Sequence, residues 1–229
     1  MNRSQWISIG LIVAVIAGTA VMYGSLPEKI PIHWNIKGEI DGWASKPWGA
    51  SLMPLLMMGL FLMFRALPWL SPKQFTLDSF RSTYEFIVLI VMLFCAYMQG
   101  VTMWAAIKGQ FDASRVIIGG VCLLFVTLGN VFGKVRRNFW VGVRTPWTIA
   151  SDRVWNATHR LSAKLFVGAG LLGLLVTVSG LPPQTSFIVM MSGIMFAALF
   201  PCGYSLYLYK VLARRGELES KDEQPLASQ

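Results

Sequence analysis

RRNFWVGVRTPWTIASDRVWNATHR, residues 136–160, is a long polar passage between two strongly apolar ones in the second half of a 229-residue chain. Its 25 residues hold six charges, three tryptophans, a proline and one of the chain's two histidines. A connector between two membrane spans needs only a few polar residues and a turn, so this composition marks a segment with a task of its own. Its flanks decide the fold class. On each side the sequence is apolar for about twenty residues, the length a helix needs to cross roughly 30 Å of hydrocarbon.

Six such runs are present, over residues 6–23, 49–66, 84–107, 116–132, 161–180 and 186–209. The chain is 55% hydrophobic and 14% charged, whereas soluble domains carry about a quarter charged residues. The expected fold is an all-α, polytopic integral membrane protein, a single helical membrane domain over 1–213 followed by a disordered polar tail over 214–229. The first run lacks a convincing small-residue cleavage site and reads as an uncleaved helix. Cys95, Cys122 and Cys202 lie inside apolar runs without metal-ligand spacing, and read as packing residues.

The net charge of +9 is explained by topology rather than by nucleic acid, and no direct nucleic acid binding is expected. With the N-terminus inside, 15 of the 20 basic residues fall in cytoplasmic segments, the bias that orients membrane proteins. This predicts cytoplasmic N- and C-termini, an extracytoplasmic cap loop over 26–48 and a cytoplasmic signature loop over 134–160. Arg137 is assigned to this bias alone. Trp6, Trp69 and Trp104 fall at span ends, where aromatic belts lie. Each half of the chain carries a long loop after its first span, and Lys46-Pro47-Trp48 matches Thr145-Pro146-Trp147 only weakly, which leaves an inverted repeat open.

In the cap loop, His33, Asn35 and Asp41 are candidates to converge on a polar ligand. The alternative, which the spacing favours, is that they hydrogen-bond the loop's own backbone and cap the second helix. One His with one Asp is no recognised metal signature, so neither a metal nor a cofactor is expected. In the signature loop, Pro146 forces Thr145 to be extended. Ser151 reads as an N-cap with Asp152 in the first turn, and Trp155 and His159 share a helix face at i, i+4. Two readings stand: one cytoplasmic-face site built from Asn138, Arg144, Thr145, Trp147, Trp155 and His159, or an interfacial elbow whose tryptophans and arginines rest on lipid headgroups.

These residues also resemble a family. His33-Trp34-Asn35, Gly38, Asp41-Gly42-Trp43 and Lys46 are similar to the domain of unknown function near the N-terminus of SdpI-type membrane proteins. Asn138-Phe139-Trp140, Gly142, Arg144-Thr145-Pro146-Trp147-Thr148, then Trp155 and His159, resemble the SdpI signature itself. The resemblance implies a membrane immunity and signal-transducing protein of the bacterial cytoplasmic membrane. Its partners would be lipid, a secreted toxin peptide outside and a cytosolic repressor inside.

Two other functions compete. A small transporter or channel would use the proline-interrupted spans (Pro54, Pro201), Gln99 and Asn130 to line a path. No span carries a deeply placed charge, and Glu85, at a span start, is expected to reach the interface. A membrane enzyme would rely on His33 with Asp41, or on His159 with Arg144 and Asn138. The predicted topology separates the two histidines, and no nucleophile or phosphate motif is present, so a non-enzymatic binding role is expected.

Overall fold

The computed structural model describes residues 2–109 and 112–218. Among them, six helices are long and apolar enough to span a membrane. These are α1 (Arg3–Met22), α2 (Lys46–Leu70), α3 (Arg81–Lys108), α4 (Ala113–Phe132), α6 (Asp152–Val178) and α7 (Pro183–Arg214), with a short α5 (Pro146–Ala150) before α6. The spans start earlier than their apolar runs, and polar side chains cap three of them, α1, α4 and α6. Asn2 forms a capping box with Gln5 at the start of α1. The Ser151 hydroxyl accepts the Val154 N–H at the start of α6, satisfying a donor that the first turn otherwise leaves unpaired.

α1, α2 and α3 pack together around Met57 and Met92, both fully buried. α4, α6 and α7 form a second group. α4 and α6 meet closely along Gly129 and Gly170, where small residues let helix backbones approach in lipid. Contacts between α3 and α4 join the groups. Trp6, Trp69 and Trp104 are exposed at span ends.

The connections sort onto two opposite faces. On one, Gln5 near the N-terminus reaches Glu85, Trp140 reaches Ser71 and Ser151 reaches Leu218. This is the signature face. The other, the hairpin face, carries residues 26–45 against the start of α4. Residues 2 and 218 therefore lie on the same face.

The cap loop is folded: β1 (Lys29–Trp34) and β2 (Ile40–Ser45) form an antiparallel hairpin. Its β-branched and aromatic residues favour strand, whereas Pro31 argues against one. The ladder accommodates that proline at an edge with register shifts between Pro31, His33 and Trp34. The first residues of the expected polar tail are folded onto the protein. Arg214 is helical, and Glu217 and Leu218 dock on the start of α6 through Arg153 and Ser151. The remainder of the expected tail, 219–229, lies outside the described residues.

Candidate functional site

On the hairpin face, Asn35 builds the turn. Its Oδ1 accepts the N–H groups of Lys37 and Glu39 at 2.9 and 3.0 Å, and its Nδ2 donates to Glu39 Oε2 at 2.8 Å. This satisfies backbone donors where strand pairing stops. Gly38 has φ +87° and sits against Ser114 at the start of α4. A Cβ there would be strained and would collide with the Ser114 hydroxyl. His33 Nδ1 and Asp41 Oδ1 meet at 2.5 Å across the strands, with side chains 69% and 44% exposed. Lys46 stands apart from this pair: its N–H donates to Glu28 O at 2.8 Å, and its ammonium lies 5.0 Å from the Tyr23 ring centroid. Beneath β1 lies a cavity of about 380 Å³, walled by His33, Asn35, Met98, Ser114, Ile118 and Phe187 among others.

On the signature face the loop folds around Asn138, which is fully buried. Its Nδ2 donates to the carbonyls of Arg136 and Val141 at 2.8 and 2.9 Å, and its Oδ1 accepts the N–H groups of Trp140 and Val141, both at 2.7 Å. All four hydrogen-bonding positions of the amide are used. Trp155 and His159 are also fully buried and stack at 4.1 Å with a 17° interplanar angle. The i, i+4 spacing on α6 produces this stack.

His159 joins the loop to the helix. Its Nδ1 lies 2.9 Å from Trp155 O, and its Nε2 accepts the Val143 N–H at 3.0 Å. A carbonyl partner requires a proton on Nδ1, and an N–H partner requires a lone pair on Nε2, so this geometry selects the neutral Nδ1–H tautomer. Gly142 lies against that ring with φ +123°, a place where no side chain fits.

Thr145 caps α5 in a capping box with Thr148, and its hydroxyl lies 2.9 Å from Ser205 on α7. Trp147 is half-buried on α5. Arg144 is exposed; its guanidinium donates to Phe139 O and lies 5.6 Å from that ring's centroid. The sequence-derived set therefore divides. Asn138, Thr145, Trp155 and His159 form one hydrogen-bonded framework, while Arg144 sits at its surface. Among the described residues, no three His, Cys, Asp or Glu side chains are placed to hold a metal.

The structure adds residues and corrects two readings. Arg137 does more than contribute to a charge bias. It pairs with Asp152 at 2.7 Å, donates to Ile149 O at 3.0 Å and lies over the Phe75 ring. Glu85 does not open to the interface: it is buried, accepts a 2.5 Å hydrogen bond from Gln5 Nε2 and lies 3.7 Å from Arg65. Thr148 was legible, because Thr145-x-x-Thr148 is the spacing of a reciprocal cap. Ser71, which accepts from Trp140 Nε1 at 2.8 Å, and Ser205 were not. Their partners lie far away in sequence.

A six-span helical membrane protein with a folded hairpin on one face and a hydrogen-bonded elbow on the other is the class defined by this arrangement. The SdpI/YfhL protein family model matches residues 134–205, the elbow together with α5, α6 and most of α7. The DUF1648 model, a domain of unknown function, matches residues 10–58, from α1 through the hairpin into α2. The chain is also 24% identical over 210 residues to the immunity protein SdpI of Bacillus subtilis (strain 168), covering 92% of this chain and 98% of that protein. No solved structure matches. The similarity to SdpI-type proteins thus runs along most of the chain.

Proposed function

We propose that this protein gives its cell immunity to a secreted toxin or antimicrobial peptide, as a non-enzymatic receptor in the bacterial cytoplasmic membrane. The hairpin face points outward and meets the peptide. The signature face points to the cytoplasm and passes the occupied state to a soluble partner, a repressor held at the membrane. The observation that carries this reading is end-to-end similarity to a protein named for immunity. The charge bias supports the orientation, and the two folded caps provide a surface on each side.

Survival of toxin-sensitive cells expressing the protein is the test. Protection that depends on both caps is expected, with Arg144→Lys and Asp41→Ala each weakening it at normal membrane levels. Unchanged killing at full expression refutes immunity. A transport role draws on one observation, the buried Glu85 among α1, α2 and α3, since ionisable groups within spans often mark ion paths. Solute or ion flux in proteoliposomes, lost in Glu85→Gln, would favour it.

A further inference from the structure

We propose that Lys134, Arg136, Arg160 and Lys164 bind the headgroup of an anionic phospholipid whose acyl chain lies along α6. All four side chains are exposed. Arg160 packs against Gly133, next to Lys134, with its Cγ 3.6 Å from where a Cβ on that glycine would stand. Lys164 follows one turn along α6. Arg136 donates to Asn156 Oδ1 at 3.2 Å, a neutral acceptor that leaves its charge uncompensated.

The neighbouring carboxylates are occupied elsewhere. Among the described residues of the signature face, Asp78 pairs with Arg81, Glu85 with Arg65, Asp152 with Arg137 and Glu217 with Arg153. Four like charges gathered with no counterion among the described residues repel one another, so the site calls for a further anion.

The shape of α6 identifies that anion as amphiphilic. Arg160, Lys164, Gly168, Leu171 and Leu175 form one exposed stripe at helical spacing. It changes from cationic to apolar along the axis; Leu171 is 48% and Leu175 65% exposed. Nothing lies within 4 Å of a Cβ placed on Gly168, which leaves open space midway. At 1.5 Å per residue the stripe runs about 22 Å, enough for a headgroup and the acyl chain of one leaflet. A soluble anion would use only its cationic end.

Native mass spectrometry of the full-length protein with added phosphatidylglycerol or phosphatidylcholine tests the site. Two basic residues at a membrane surface correspond to a preference of about 30-fold. Arg160→Gln with Lys164→Gln should lower the phosphatidylglycerol preference by about that factor. Arg160→Lys with Lys164→Arg should retain it, and so should Lys73→Gln with Arg215→Gln, which removes equal charge from dispersed positions on the same face. Equal losses in both glutamine pairs would overturn the site in favour of a diffuse field, and absence of any preference would overturn it outright. A comparable rise in lipid preference on neutralising Glu219, Asp222 and Glu223 would assign the cations to the chain's own acidic tail instead.

Discussion

Replacing Asn138 with alanine should melt the signature loop while leaving the six-helix bundle standing. The amide makes four hydrogen bonds of 2.7–2.9 Å, to backbone groups of Arg136, Trp140 and Val141. Each contributes about 1 kcal/mol net, or about 4 kcal/mol together. The loop is partly exposed, and water recovers some of the freed groups, so a local loss of about 2–4 kcal/mol is expected. Hydrogen–deuterium exchange of the protein in nanodiscs reads this directly. Protection over residues 138–143 should fall roughly 30- to 700-fold, at about 1.4 kcal/mol per factor of ten. Trp140, pinned to Ser71 at 2.8 Å, should become quenchable from the aqueous phase. Asn138→Asp keeps both acceptor contacts and loses both donor contacts, so its loss should be intermediate. A change below about threefold in the loop, or one spread evenly over α1–α3, would refute the view that this side chain organises the elbow.

Arg144→Lys preserves the charge but not the planar guanidinium over Phe139, so it should reduce protection and partner recruitment while membrane levels stay normal; unchanged survival would leave an interfacial elbow. Arg137→Lys is not a silent comparison, because its side chain holds both Asp152 and Ile149 O; it should loosen exchange at the start of α6 by about 1–2 kcal/mol, and no change would refute that role. Asp41→Ala should cost at most about 1 kcal/mol of stability, since both partners in the His33 contact are substantially exposed, yet it should lower protection in the survival assay. Cysteines at Asn2 and Ser228 should resist an impermeant reagent in intact cells while one at Lys37 reacts; the opposite pattern overturns the orientation, and Ser228 lies outside the described residues.

The spans were legible because hydropathy over about twenty residues is a local property, and the bilayer sets both their length and their composition. Local chemistry likewise marked Ser151 as a cap and placed Trp155 and His159 on one face, since helix geometry alone brings residues four apart together. The family signature was readable for the same reason: it is a contiguous string. The hairpin was hidden, because Pro31 reads as a strand breaker until the register shifts on either side of it are known. Arg137, Glu85, Ser71 and Ser205 took their roles from partners brought close only by folding. The exposed Arg144 and the buried Asn138 are both polar residues of one loop, and the sequence treats them alike. Packing of the loop on α6 and α7 separates them. Burial turns the amide into a framework, because its hydrogen bonds must be made inside the protein, and exposure leaves the guanidinium accessible to a partner.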